Sequence, residues 1–133
     1  MRRDFFALFL FLAFLSLSAC TDTGQASLQQ AKSGTAKVHF VVEANGSTIL
    51  DRTVAVEKGS NAFDAMRESL DIKFKEFEFG PFIEEIEGSR PGAGEFWALY
   101  VDGEMASKGI KDYSIEQDID LRWKIEPLGA YSG

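Results

Sequence analysis

Glu95-Phe96-Trp97-Ala98-Leu99-Tyr100-Val101-Asp102-Gly103 reads as a strand running into a turn, and its composition decides how the rest of the chain must pack. Aromatic and β-branched residues suit a pleated strand, and Asp-Gly favours a tight hairpin turn. Successive side chains of a strand point to opposite faces, so six apolar residues in a row give this strand two apolar faces.

Its neighbours are simpler. Val38, Phe40 and Val42 alternate with Lys37, His39, Val41 and Glu43, the pattern of a half-buried strand. Asn45-Gly46 then predicts a hairpin turn into residues 49–56, with Leu50, Val54 and Val56 on one face. Gly59-Ser60-Asn61 breaks that strand and offers a helix cap, with Asp64 placed to favour the first turn. Phe63, Met66 and Leu70 make one stripe of an amphipathic helix of about three turns. Residues 73–79, closed by Gly80-Pro81, and residues 82–87, closed by Gly88, read as short strands. At the far end Ile119, Leu121, Trp123 and Ile125 alternate with Asp120, Arg122 and Lys124. The order is β-β-α-β-β-β-β, an α+β fold with one helix packed on one face of a mixed sheet.

Against that background the aromatic strand poses a question. Either Trp97 and Leu99 or Phe96 and Tyr100 lie on the face away from the helix, and something must cover them. Two outcomes are open: residues 89–94 or 109–113 fold over that face, or it stays bare as an aromatic platform for a ligand or partner.

Upstream of the domain, Met1-Arg2-Arg3 gives a positive start and residues 5–15 are an unbroken apolar run of eleven. That is too short to span a bilayer, which takes roughly 20 residues, and has the length of a secretory signal core. Leu17-Ser18-Ala19-Cys20 follows and resembles the bacterial lipobox, in which small residues precede the cysteine whose thiol accepts lipid. Residues 1–19 are therefore expected to be a lipoprotein signal peptide. Residues 20–36 are then the lipidated Cys20 and a flexible tether rich in Thr, Ser, Gln and Gly, residues 37–127 the domain, and residues 128–133 a tail. The expected location is the cell envelope, extracytoplasmic and lipid-anchored through Cys20, with the leaflet left open.

Charge and rare residues exclude whole classes of function. The chain carries 14 Lys+Arg against 21 Asp+Glu, a formal charge of −7, and loss of Arg2, Arg3 and Asp4 with the leader takes it to −8. No basic excess exists to release counterions from nucleic acid, so no nucleic-acid partner is expected. One Cys and one His leave neither a disulfide framework nor a structural zinc site. His39, the only imidazole, falls on the outer face of its strand and is expected to be solvated rather than catalytic. Glu84, Glu85 and Glu87 read as a charged edge. Glu116, Asp118 and Asp120 lack the glycine and ligand count of a calcium loop. No phosphate-binding glycine motif is present, and neither an enzyme nor a resident cofactor or metal is expected.

Several stretches together resemble a known family: Val54 to Val56 with Gly59-Ser60-Asn61-Ala62-Phe63-Asp64-Ala65-Met66, Phe82-Ile83 through Ile86-Glu87-Gly88, the aromatic strand through Val101-Asp102-Gly103, and Gly109-Ile110 with Tyr113 and Ile115. They resemble the DUF4430 domain, which is similar to the C-terminal β-domain of transcobalamin and intrinsic factor. Where this chain has Val-Asp-Gly the family usually has Val-Asn-Gly. The resemblance implies a β-grasp-like (ubiquitin-like) fold and a small-molecule ligand, flat and partly apolar, with cobalamin as one possibility. It carries the ligand-binding role onto Trp97 and Tyr100, with Phe96 and Phe82 beside them. The helical barrel that encloses most of cobalamin in the vertebrate carriers is expected to be absent. The functional expectation is an envelope lipoprotein bearing a small ligand-binding module. The alternative is a protein–protein interaction module that docks on another envelope protein or transporter through the same strand or the sheet edge.

Overall fold

β1 (Thr35–Ala44) buries Val38, Phe40 and Val42 completely and turns Lys37 and His39 outward, as its period of two requires. These assignments come from a computed structural model that describes residues 34–131. The expected signal peptide, Cys20 and the expected tether up to residue 33 lie outside the described residues. β1 starts two residues ahead of the expected domain boundary, and Ala36 is already buried. Asn45 and Gly46, at φ 53° and 76°, form the tight turn into β2 (Ser47–Glu57), where positive φ at both positions matches the strand twist. Val38 opposes Val54 and Val42 opposes Leu50, so the two apolar faces meet the same core.

After β3 (Ser60–Asn61), the Asn61 side chain caps α1 (Ala62–Ser69), accepting from the Phe63 amide at 2.9 Å and the Asp64 amide at 3.4 Å. Phe63, Met66 and Leu70 are buried along the expected stripe. The helix has eight residues, just over two turns rather than three, because Leu70 is already extended at φ −124° and ψ 153°.

β4 (Ile72–Phe77) and β5 (Gly80–Ile86) pair only with each other and form a two-stranded sheet apart from the main one. Their turn falls at Glu78-Phe79, not at Gly80-Pro81. Gly80 holds φ +117° as the first residue of β5, opposite Phe77, a conformation that only glycine takes readily. Phe79 is thereby moved out of the strand into the turn.

The main sheet continues with β6 (Glu95–Val101), β7 (Glu104–Met105) beyond the Asp102-Gly103 turn, and β9 (Ile119–Pro127). β8 (Ser114–Ile115) pairs with β3 in a separate two-residue ladder. The strand order is β2-β1-β9-β6-β7, with β1 and β9 parallel and the other neighbours antiparallel. This is the mixed sheet of an α+β fold, with three two-residue strands (β3, β7 and β8) too short to carry a periodic signal. Phe40, Met66, Ile86, Ile115 and Leu121 are fully buried between the sheet and the elements on its helix side. Leu128–Tyr131, expected as tail, make one 3-10 turn after β9, with the Leu128 amide donating to the Gly94 carbonyl at 2.9 Å.

The outer face of the sheet is a lattice of paired charges. His39 sits between Asp51 and Asp120, each 2.8 Å away, and Glu43 is bonded to Arg122 at 3.2 Å. Val41 and Ala98 are the small apolar residues buried among these longer side chains.

A candidate ligand-binding cleft over the tryptophans

Cross-strand register settles which face of the aromatic strand is which. Trp97 opposes Ile125 and Leu99 opposes Trp123, and all four belong to the core side of the sheet. Phe96, Ala98 and Tyr100 oppose Glu126, Lys124 and Arg122 on the outer side. Trp97, Leu99 and Trp123 then form the floor of a cleft of about 520 Å³, a size suited to a small organic molecule. Pro81, Phe82 and Ile83 of β5 make one wall, and Ala106, Gly109 and Ile110 the other.

Of the two outcomes left open by the sequence, each is partly realised. Gly109 and Ile110 do fold over Trp97 and Leu99, yet they and β5 stand apart far enough to leave the cleft between them. Trp97 and Phe82 are brought together around it, while Phe96 borders it along the strand with its side chain on the outer parity. Tyr100 is not. Its phenol donates to Glu126 at 2.8 Å on the opposite face, and burial together with that carboxylate raises its pKa above the ordinary tyrosine value. The physical reason is the strand's period of two, which separates Tyr100 from Trp97 by the thickness of the sheet.

The floor carries an unusual polar feature. Trp97 is 8% exposed and Trp123 5%, and neither indole Nε1–H has a hydrogen-bond acceptor among the described residues. A buried donor without a partner costs about 1–3 kcal/mol, so two beneath one cleft mark a place where the fold gives up stability.

The lip of the cleft is aromatic. Phe82 is 52% exposed and meets Phe77 edge-on at 6.2 Å, while Phe77 stacks on Phe79 at 5.1 Å with the rings 8° from parallel. Phe79, at 76%, is among the most exposed large apolar side chains.

Charged groups at the rim are mostly spoken for. Arg90 donates to Glu85 at 2.9 Å and Lys73 lies 3.1 Å from the same carboxylate, so Arg90 first and Lys73 second hold Glu85 below the ordinary glutamate pKa. Glu84 is paired with Lys75 at 3.2 Å, and Glu95 accepts from the Gly92 amide at 2.8 Å. Lys108 has no carboxylate partner among the described residues. Its ammonium stands 4.5 Å from the centre of the Tyr113 ring.

Away from the cleft, both ring nitrogens of His39 are engaged by carboxylates, which raise its pKa above 6.5, Asp51 first and Asp120 second. The ring ties β1 to β2 and β9. Glu116 accepts from the Ser114 hydroxyl, Asp118 from the Lys37 amide, and Asp120 is bonded to His39. Among the described residues no three His, Cys, Asp or Glu side chains are grouped to hold a metal ion.

Trp123, Ile83 and Lys108 are cleft residues that the sequence did not mark, whereas Ile110 lies in the stretch 109–113 named as a possible cover. Trp123 lies in a plainly amphipathic strand, and only its register against Leu99 places it in the floor. Ile83 and Lys108 lie in segments whose spacing says nothing about what they face.

Comparison with known proteins bears on the fold. No curated protein sequence matches the chain. Haptocorrin, in its crystal structure in complex with Cbi, is similar over 71% of this chain with 22% identity and a TM-score of 0.60; the chain spans 25% of the haptocorrin chain. A candidate metal-binding protein from Ruminococcus gnavus ATCC 29149 is similar over 69% of this chain and 97% of its own, with 10% identity and a TM-score of 0.58. Both share the fold. The domain of unknown function DUF4430 matches residues 59–126, slightly more than half of the sequence and including the helix, both cleft walls and both tryptophans, and the chain belongs to that family.

Proposed function

We propose that this protein is an envelope-anchored binding module that takes a small, partly apolar ligand into the cleft over Trp97, Leu99 and Trp123. One observation carries the reading: an open cleft of about 520 Å³ whose floor is two buried indoles with unpartnered N–H groups. An open, largely apolar cleft of this size with aromatic side chains in its floor is the usual form of a small-molecule site. The likeness to haptocorrin, whose structure holds Cbi, supports a flat, cobalamin-like ligand as one candidate class. Trp97 and Phe82 are the sequence-marked residues assigned to the contact.

Anchoring rests on Leu17-Ser18-Ala19-Cys20. Lipid on Cys20 would hold the protein at the membrane outside the cytoplasm, since two or three acyl chains suffice for stable attachment. Cys20→Ser should accumulate as an uncleaved precursor without lipid; processing and release like the parent would refute the anchor. For the ligand, calorimetric titration against cobalamins, haem and small glycans is expected to give micromolar binding by one class, abolished in Trp97→Ala. Binding that survives that substitution, or none by any class, would refute the cleft. The exposed Phe77, Phe79 and Phe82 favour a second reading, in which the β4–β5 tip docks on another envelope protein. Capture of one defined membrane partner, lost in Phe79→Ser but not in Trp97→Ala, would establish that reading instead.

A further inference from the structure

β2 forms one edge of the main sheet, and its outward side pairs with no strand among the described residues. The opposite edge, β7, is two residues long and offers almost no ladder. The Lys58 amide donates to the Gly34 carbonyl at 2.9 Å, and antiparallel pairs alternate, so Val56, Val54 and Arg52 also turn their backbone groups toward β1. Asp51, Thr53, Ala55 and Glu57 must then turn theirs away from it, and all four are exposed. Such an open row is ordinarily guarded by lysine, proline or a bulge. Residues 51–57 contain neither lysine nor proline, and the register shift of the pair lies before them, opposite Leu50 and Thr48. Beside the row runs a groove of about 460 Å³ between Ala55, Val56 and Glu57 of β2 and Asp64, Ala65 and Glu68 of α1. Its lining carries three carboxylates and no lysine or arginine. Asp64 meets Arg67 at 3.8 Å, but that guanidinium lies over the Phe63 and Phe74 rings. We infer that β2 accepts an extended basic segment of another polypeptide as a further strand, with its lysines or arginines in the groove beside α1. Main-chain bonds to Thr53 and Ala55 supply the attachment. Alternate side chains of the added strand reach the groove, where aliphatic stems lie along Val56 while the charges meet Glu57 and Glu68. A second copy of β2 fits less well, because its one cation, Arg52, is already bonded to the Ser69 carbonyl. The groove shares no lining residue with the tryptophan cleft, so the two surfaces stand or fall separately.

The test follows backbone amide shifts and hydrogen exchange of the purified protein on titration with peptides of about seven residues, the length of an ordinary strand. One alternates lysine and valine, one alternates glutamate and valine, and one is the lysine–valine peptide N-methylated at every other amide. The Thr53 and Ala55 amides are expected to exchange freely in the protein alone and to slow at least about tenfold with the lysine–valine peptide. That peptide should bind about fivefold more tightly than its glutamate counterpart, the upper end for one exposed ion pair, and raised salt should shrink the difference. The N-methylated peptide, which cannot complete the ladder, should not bind. Ala55→Pro removes an amide directed away from β1 and should abolish binding with the fold intact, and Glu68→Lys should lessen the preference for lysine. Thr53 and Ala55 amides already protected without peptide would overturn the inference, since the edge would then be covered by this chain or a second copy. Equal affinity for the lysine and glutamate peptides, or binding that survives Ala55→Pro or N-methylation, would overturn it too. Shifts of the tryptophan indoles in place of those at Thr53 and Ala55 would assign the peptide to the cleft and overturn the edge.

Discussion

Replacing Trp123 by Phe should leave the ligand-free protein as stable as the parent or slightly more so, the reverse of what a core truncation normally does. Trp123 is 5% exposed, so the exchange removes one ring from a packed floor. The lost volume is roughly 40 Å³, and at about 24 cal/mol per Å³ of unfilled space this costs about 1 kcal/mol. The same exchange deletes a buried N–H without an acceptor, which returns about 1–3 kcal/mol. The balance runs from zero to about 2 kcal/mol of stabilisation. Two residues away on the same strand, Leu121 is fully buried and has no such compensation, so Leu121→Ala should cost about 2–5 kcal/mol and serves as the control. Urea unfolding followed by far-ultraviolet circular dichroism reads both without relying on tryptophan emission. With a slope of about 1–3 kcal/mol per M, the Trp123→Phe midpoint should stay level or rise by up to about 2 M, and that of Leu121→Ala should fall. Destabilisation of Trp123→Phe by more than about 2 kcal/mol would refute the reasoning, since it would mean the indole N–H is satisfied in the folded protein.

Other outcomes follow from the same structure. Because its carboxylate partners raise the His39 pKa, charged His39 contributes stability that is complete below 6.5 and is lost as pH rises through the folded value. The two half-exposed pairs are each worth about 0.2–1 kcal/mol, so the melting temperature should fall by several degrees between about pH 5.5 and 9. His39→Gln should flatten that slope, and an unchanged slope would show that the ring does not link the strands. Met66→Ala, at a fully buried helix position, should cost about 2–5 kcal/mol in urea unfolding; a loss under about 1 kcal/mol would mean α1 packs loosely. Asn61→Ala should cost about 1 kcal/mol or more by removing the acceptor of two amides at the start of α1 and the donor to the Lys111 carbonyl at 2.7 Å, and Asn61→Asp should restore only part of it, because a carboxylate keeps the cap but cannot donate.

How much of this was legible in the sequence depended on the range over which each signal acts. The β1–β2 hairpin and the Asn61 cap are set by adjacent residues, and Asn45-Gly46 and Asn61 do in the fold what their chemistry implies. The doubled apolarity of residues 96–101 correctly marked a strand packed on both sides. It could not say which face held space, because that depends on register with β9, which begins at Ile119, well beyond the end of β6 at Val101. On the outer face Phe96 and Tyr100 lie along the side chains of Arg122, Lys124 and Glu126, whose aliphatic stems cover apolar surface while their charges pair. Tyr100 therefore dropped out of the site while Trp123 entered it. Nothing local tells a hairpin whether to join the main sheet, so the separation of β4–β5, which gives the cleft its second wall, was invisible. The lack of a partner for Lys108 is likewise a property of where all the carboxylates end up.

The central claim is that a small molecule sits between β5 and residues 105–110, on the tryptophan floor. Intermolecular nuclear Overhauser effects from bound 2-naphthamide, a small aromatic probe, test it most directly. Contacts from the naphthyl protons to the methyl groups of Leu99 and Ile110 and to the ring of Phe82 are predicted. Contacts confined to Phe77 and Phe79 at the hairpin tip, or to Val41 on the outer face, with none to Leu99, would contradict it.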